Sequence, residues 1–295
     1  MMNKTWFLNL LLTLLLTSCE KAIDLNLDEI DKKLVVEATI DNGGAPVVML
    51  SNSLDFFSEI TPVLLNGSFV HDADVFISDG NTTHRLKEYS KPVSNGFSVS
   101  YYTTDSSNLS TAITGQLNKT YSLRIVADGK EYASTTSIPN ITRRIDSMWW
   151  KNVYENPDST KVTVMIKATD APGYGNYIRY FTKRNHDPFY PGLNSVFDDQ
   201  IIDGTTYEIE VERGIDRNIA LNDTYSFFNK GDTVTLKLCE IDKATFDFWR
   251  TMEFSYASIG NPFSSPTKVS GNISNGALGY FGGYACQYHT IIIPR

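Results

Sequence analysis

Carboxylates gathered in one stretch are where chemistry is best sought. Asp198-Asp199 precede Asp203-Gly204, and His186-Asp187 lie upstream in the same loop. Several oxygen ligands on a flexible loop suit a hard cation such as calcium. The spacing misses the Asp-x-Asp-x-Asp-Gly calcium loop, and a solvated acidic turn capping the next strand is the competing reading. Adjacent carboxylates on an extended chain point to opposite faces, which argues against Asp198 and Asp199 as an acid/base pair. Other reactive types are sparse. His71, His84, His186 and His289 stand far apart, and no His-Glu-x-x-His occurs. The chain also lacks a Gly-x-Ser-x-Gly elbow and both phosphate-cradling glycine patterns. No catalytic residue is assigned.

The three cysteines divide by context. Lys4 precedes an apolar run, Trp6 to Leu16, that closes on Leu16-Thr17-Ser18-Cys19. That run is too short to span a bilayer, which takes about twenty apolar residues. It reads as the core of a signal peptide, residues 1–18, ending in a lipobox whose Cys19 carries a diacylglycerol and acyl lipid. Two or more chains hold a protein on a membrane stably, where one binds reversibly. Residues 19–29 form the tether. Glu20, rather than Asp, follows the lipidated residue, so export to the outer membrane is expected. Asp24, Asp28, Glu29 and Asp31 fit either display at the cell surface or a simple solvated tether, which leaves the periplasmic face open. Cys239 and Cys286 remain: they form a disulfide if their strands are neighbours and are two separate buried thiols otherwise. No Cys-x-x-Cys occurs, which excludes a zinc site of that kind.

Cleavage before Cys19 removes one cation, Lys4, and no anion, so the formal charge moves from −8 to −9. An acidic body repels phosphate backbones, and nucleic acid is excluded as a partner. Abundant Tyr, Phe and Thr beside Asn and Ser favour strands joined by polar turns.

The elements bear this out as a pattern. Leu34–Ile40 and Val47–Ser51 read as strands, and Leu54–Val70 as a loop with room for a short strand. Two hairpins follow, one turning at Asp79-Gly80 and one at Asp128-Gly129, dipeptides that suit a type I′ turn. About seven short strands predict an immunoglobulin-like β-sandwich over residues 30–139. Pro139 closes it. Residues 140–295 predict a second antiparallel β domain, with strands at Lys161–Thr169, Tyr177–Lys183, Thr206–Glu212 and Thr233–Glu240. In the third, Tyr207, Ile209 and Val211 face one way and three glutamates the other. Long connections at 184–204 and 214–231 are candidate binding surfaces. One helix is predicted near 242–258, with Asp242 as N-cap and Phe246, Trp249, Met252 or Glu253, and Tyr256 as its packed stripe. Strands at Leu278–Phe281 and His289–Ile293 close the chain, and glycines in 276–283 let backbones approach. Trp149-Trp150 place one ring on each face of a strand, one in the core.

Lys33-Leu-Val-Val-Glu37, Ala73-Asp-Val-Phe-Ile77, Tyr121-Ser-Leu-Arg-Ile125, Phe197-Asp-Asp199 with Asp203-Gly204, and Asn272-Ile-Ser-Asn-Gly-Ala-Leu-Gly-Tyr-Phe281, together with the lipobox, resemble domain of unknown function family 4249. The last stretch is the most specific. The resemblance implies an outer-membrane lipoprotein of Bacteroidota acting beside a TonB-dependent receptor, and it supplies no catalytic residue. The expected function is therefore a non-enzymatic accessory that binds a small-molecule, peptide or glycan cargo, or the receptor itself. Its rivals are a carboxylate- or cation-dependent surface hydrolase at Asp198, Asp199 and Asp203, and an adhesin-like structural lipoprotein.

Overall fold

Period-two alternation of apolar and polar residues builds most of this chain, and its strands are β1 (Leu34–Asp41), β2 (Val47–Asn52), β3 (Asp74–Ser78), β4 (Thr83–Ser94), β5 (Phe97–Thr104), β6 (Lys119–Ala127), β7 (Lys130–Ile138), β8 (Arg144–Asn152), β9 (Lys161–Thr169), β10 (Tyr177–Arg184), β11 (Tyr190–Asp198), β12 (Thr206–Val211), β13 (Phe228–Asn229), β14 (Thr233–Ile241) and β15 (Leu278–Ile292). Among the described residues two helices join them, α1 (Pro62–Ser68) and α2 (Lys243–Ala257). The computed structural model describes residues 32–55, 58–94, 96–153, 158–261, 265 and 267–295. The expected signal peptide, Cys19 and the expected tether lie outside the described residues. Among the latter, no helix is long and apolar enough to cross a membrane.

The fold is mainly β, and among the described residues its strands pair antiparallel except at one place. Eleven strands run in the order β11-β10-β14-β15-β1-β2-β5-β4-β3-β6-β7. A second sheet runs β12-β9-β13, with β8 also paired to β9. The exception is β1 against β15, which pair in parallel from Val35↔Leu278 to Asp41↔Tyr284. Strand β15 then pairs with β14 from Ile241↔Tyr284 to Thr233↔Ile292. One 15-residue strand therefore changes partner at Tyr284 and welds the two halves of the chain.

This arrangement differs from the expectation of two units meeting at residue 139. Residues 32–295 form one compact unit, and the large sheet crosses the boundary. Strand β1 has β2 on one side and takes its other neighbour, β15, from the end of the chain. Each half does keep its own apolar centre. Val36, Ala38 and Ile40 of β1 meet Val75, Ile77, Leu123, Ile125 and Ile138, and Phe281 of β15 joins them with no exposure at all. Fully burying a phenylalanine contributes about 1.5–3 kcal/mol. The other centre sets Val162, Val164 and Ala168 of β9 against Val234 and Leu236 of β14, so the smaller sheet covers one face of the larger.

Several local expectations are corrected. Residues 62–68 are helical: Thr61 accepts from the N–H of Leu64 and Pro62 occupies the first turn, where its missing N–H costs nothing. Asp128 and Gly129 both take positive φ, as a type I′ turn needs. At Asp79-Gly80 only Gly80 does. Asp79 instead accepts from the N–H groups of Asn81 and Thr82, and the pairing resumes at Ser78↔Thr83. The 184–204 connection contains β11, and the two closing strands are one. On β12, Val211 is buried but Ile209 is 46% exposed, because this strand is a sheet edge.

Candidate functional site

The acidic stretch is placed by the end of β11. Asp198 is that strand's last residue and Asp199 the first beyond it, so their side chains diverge. Asp198 lies 3.6 Å from the guanidinium of Arg250 on α2. Asp199 turns inward, 1% exposed, and accepts from the N–H groups of Gly175 at 3.1 Å and Asn176 at 3.0 Å. Asp203 accepts from the N–H of Gly173 at 2.6 Å. One carboxylate oxygen each from Asp199, Asp203 and Asp170 lie within 4.8 Å of one another. The set is thus Asp170, Asp199 and Asp203. The expected trio of Asp198, Asp199 and Asp203 is corrected at its first member, because alternation along β11 sends Asp198 away. Asp170 follows directly on β9, and the Asp-Ala-Pro-Gly turn there is the one cue the sequence carried. His186 is exposed, and the neighbouring Asp187 pairs with Arg184 at 3.2 Å.

Electrostatics separate the three acids. Asp170 is paired with Arg143, whose Nε and Nη2 lie 3.1 and 3.0 Å from Oδ1, and both side chains are wholly buried. Burial raises the Asp170 pKa; Arg143 opposes that, and Asp199 and Asp203 add to it. For Asp199 burial also pushes upward, but the N–H groups of Asn176 and Gly175 outweigh it and hold the carboxyl low.

A cleft of about 240 Å³ opens where the two long connections meet. Thr182 and Arg184 of β10, Tyr190 at the start of β11, and Arg213 to Tyr225 line it. The loop is seated by its backbone: Gly214 N–H donates to the Thr182 hydroxyl at 2.6 Å and Ile215 N–H to the Pro191 carbonyl at 2.9 Å. A β-carbon on Gly214 would stand 2.0 Å from the carbonyl oxygen of Tyr190, so only glycine permits this approach. Arg213 anchors the far side through Nε to the Tyr225 carbonyl at 2.9 Å. Burial lowers the Arg213 pKa, and Arg184 lowers it further, with Asp232 and Asp187 opposing. Two guanidiniums and the carboxylates of Asp187 and Asp216 thus share one half-open wall.

Behind both features α2 is fastened to the sheet. Asp242 caps it by accepting from Thr245 N–H at 2.8 Å, and its other oxygen accepts from Thr136 and Ser137 of β7. Of the alternative stripe residues, Glu253 faces inward and Met252 outward. The Glu253 carboxylate accepts from the N–H and hydroxyl of Ser195, and Arg179 Nε donates to that hydroxyl at 3.1 Å. The Arg179 guanidinium stacks 3.4 Å over Trp249. Ser195 has no exposed surface, so the Ser195–Glu253 contact is closed to any substrate from solvent and holds the helix down. Cys239 and Cys286 are directly opposed across β14 and β15 and form a disulfide. Of the tryptophan pair, Trp150 packs on the second core, while Trp149 lies beneath Lys151 at 5.7 Å.

The stretch 272–281 proves to be a clasp. Asn272 brackets Phe281, accepting from its N–H and donating to its carbonyl, both at 2.8 Å. Ser274 exchanges two hydrogen bonds with the backbone of Ala133 on β7. Asn275 and Gly276 turn the chain with positive φ, and Gly279 lies against β1. These residues fasten the start of β15 to β7 and bring Gly279 against β1. No curated protein matches the chain. Residues 20–288, almost the whole chain and including this clasp, match the family described as Domain of unknown function (DUF4249), and the chain belongs to that family.

Proposed function

We propose that this protein is a non-enzymatic lipoprotein of the outer membrane, displayed at the cell surface and accessory to a TonB-dependent receptor, with the Arg184–Arg213 cleft as its contact for cargo or receptor. The observation that carries the reading is the ending Leu16-Thr17-Ser18-Cys19 after a short apolar run, which supplies a lipid anchor ahead of a folded body. The cleft supports the binding half of the reading. Its wall is half-open, its charges are mixed, and it sits on loops held by a rigid sheet, where recognition surfaces are commonly built. Divergence of Asp198 from Asp199, and burial of Ser195, favour binding over hydrolysis.

The test is a detergent pull-down of the tagged native lipoprotein from outer membranes, with Cys19→Ala as control. Co-purification of a stoichiometric TonB-dependent receptor that persists in high salt and is lost in the control is the expected result. Recovery of the lipoprotein alone overturns the partnership.

A further inference from the structure

We propose that Asp170, Asp199 and Asp203 form a calcium site that clasps the 170–176 loop to the 199–204 turn, independent of any receptor partnership. Two observations meet here. The first is the convergence of three carboxylates, one oxygen from each within 4.8 Å of the others, with two of the side chains buried. The second is an unsatisfied atom. Asp170 is 1% exposed, its Oδ1 is taken by Arg143, and its Oδ2 is buried with no hydrogen-bond partner. A buried carboxylate oxygen left unpaired costs more than a neutral group would, and native proteins rarely leave one so.

Charge leads to the same assignment. Three carboxylates converge beside one guanidinium, Arg143, which the buried Glu240 also neighbours, so acidic groups outnumber the cation and the set favours a bound metal ion. All the donors are oxygens, with neither sulfur nor imidazole among them, which selects a hard cation over zinc or copper. Calcium–oxygen bonds of about 2.3–2.6 Å place opposed ligands close to 5 Å apart, and calcium accepts irregular, water-completed shells on loops. The N–H groups of Gly173, Gly175 and Asn176 hold the Asp203 and Asp199 carboxylates in place beside Asp170. Tyr174, 77% exposed, and Ile201, 94% exposed, project from the two segments that the ion would join, so calcium would fix their spacing on the surface.

The experiment is calorimetric titration of calcium chloride into the EDTA-treated full-length lipoprotein in detergent, with thermal melting alongside. One saturable equivalent below about 1 mM, the range of extracellular calcium modules, and a raised Tm are expected. Asp203→Asn, a partly exposed position that can change without unpairing Arg143, is expected to weaken binding at least tenfold while retaining the wild-type circular dichroism. Asp198→Asn is expected to bind as the wild type does. Absence of saturable binding to the folded wild type, or unchanged affinity in Asp203→Asn, overturns the site. So does a protein whose melting responds to pH through Asp170 but not to calcium, since a proton would then be what satisfies Asp170.

Discussion

Gly279→Ala isolates the junction on which the fold depends. The residue has φ +96°, and a β-carbon there would stand 1.9 Å from the Val36 carbonyl oxygen and 2.8 Å from its carbon. Left-handed backbone costs an L-residue roughly 1–2 kcal/mol, and forcing atoms into a packed region costs about 1–3 kcal/mol. Alanine also restricts the unfolded chain, which returns about 0.4–1 kcal/mol. The net loss is about 2–4 kcal/mol, because β1 must move away from the strand with which it shares seven registered pairs. Gly276→Ala is the matched control: φ is +73° but nothing lies within 4 Å of the added carbon, so only the backbone term applies, roughly 1 kcal/mol. Urea unfolding of the disulfide-intact protein, followed by tryptophan fluorescence, measures both. Equal losses in the two variants, or a Gly279→Ala midpoint within about 0.5 kcal/mol of wild type, would refute the claim that close β1–β15 contact excludes a side chain.

Three further outcomes follow from the same structure. Replacing both Cys239 and Cys286 by Ser opens a loop spanning 47 residues and should cost roughly 2–4 kcal/mol, read as a lowered Tm that reductant no longer changes. Glu253→Ala removes the acceptor of the buried Ser195 and the carboxylate paired with Arg217, which should cost about 3 kcal/mol and expose Trp249 to quenchers; unchanged stability would mean that α2 is held by its apolar face alone. Asp79 is pulled from 3.8 to about 2, first by its hydrogen bond from Lys119 and then by the N–H groups of Thr82 and Asn81. A carboxylate whose folded pKa is depressed contributes stability above its unfolded value and loses it as pH falls. The wild type should therefore lose stability between about pH 4 and 2, and Asp79→Asn should flatten that part of the profile while being less stable at neutral pH.

How far the residues alone reach is clearest from particular elements. Helix α2 was readable because its cap, Asp242, and its aromatic spacing are local, and so was the turn at Asp128-Gly129, whose conformation only such residues favour. Strand β11 was hidden by Pro191 and Gly192, which break a strand pattern but are tolerated at the edge of a sheet, where β11 lies. Glu253 could not be told from Met252 as the inward residue, because a glutamate is buried only when partners exist, and those partners, Ser195 and Arg217, are remote in sequence. Asp170 was missed for the same reason: it meets Asp199 and Asp203 across the packing of β9 on the larger sheet.

The sequence by itself determined what depends on short-range order and composition: a mainly β chain, the phase of most strands, one capped helix, and membership of the family through the 272–281 stretch. Only the tertiary structure decided that β15 pairs in parallel with β1 and joins both halves, that Cys239 and Cys286 face each other, that the 184–190 and 213–225 segments share a cleft, and which acids converge. The reason is physical. Alternation and capping are set within a few residues, whereas strand order, and the partners that make burial of a charge tolerable, are set by contacts between segments that the chain brings together only when it folds.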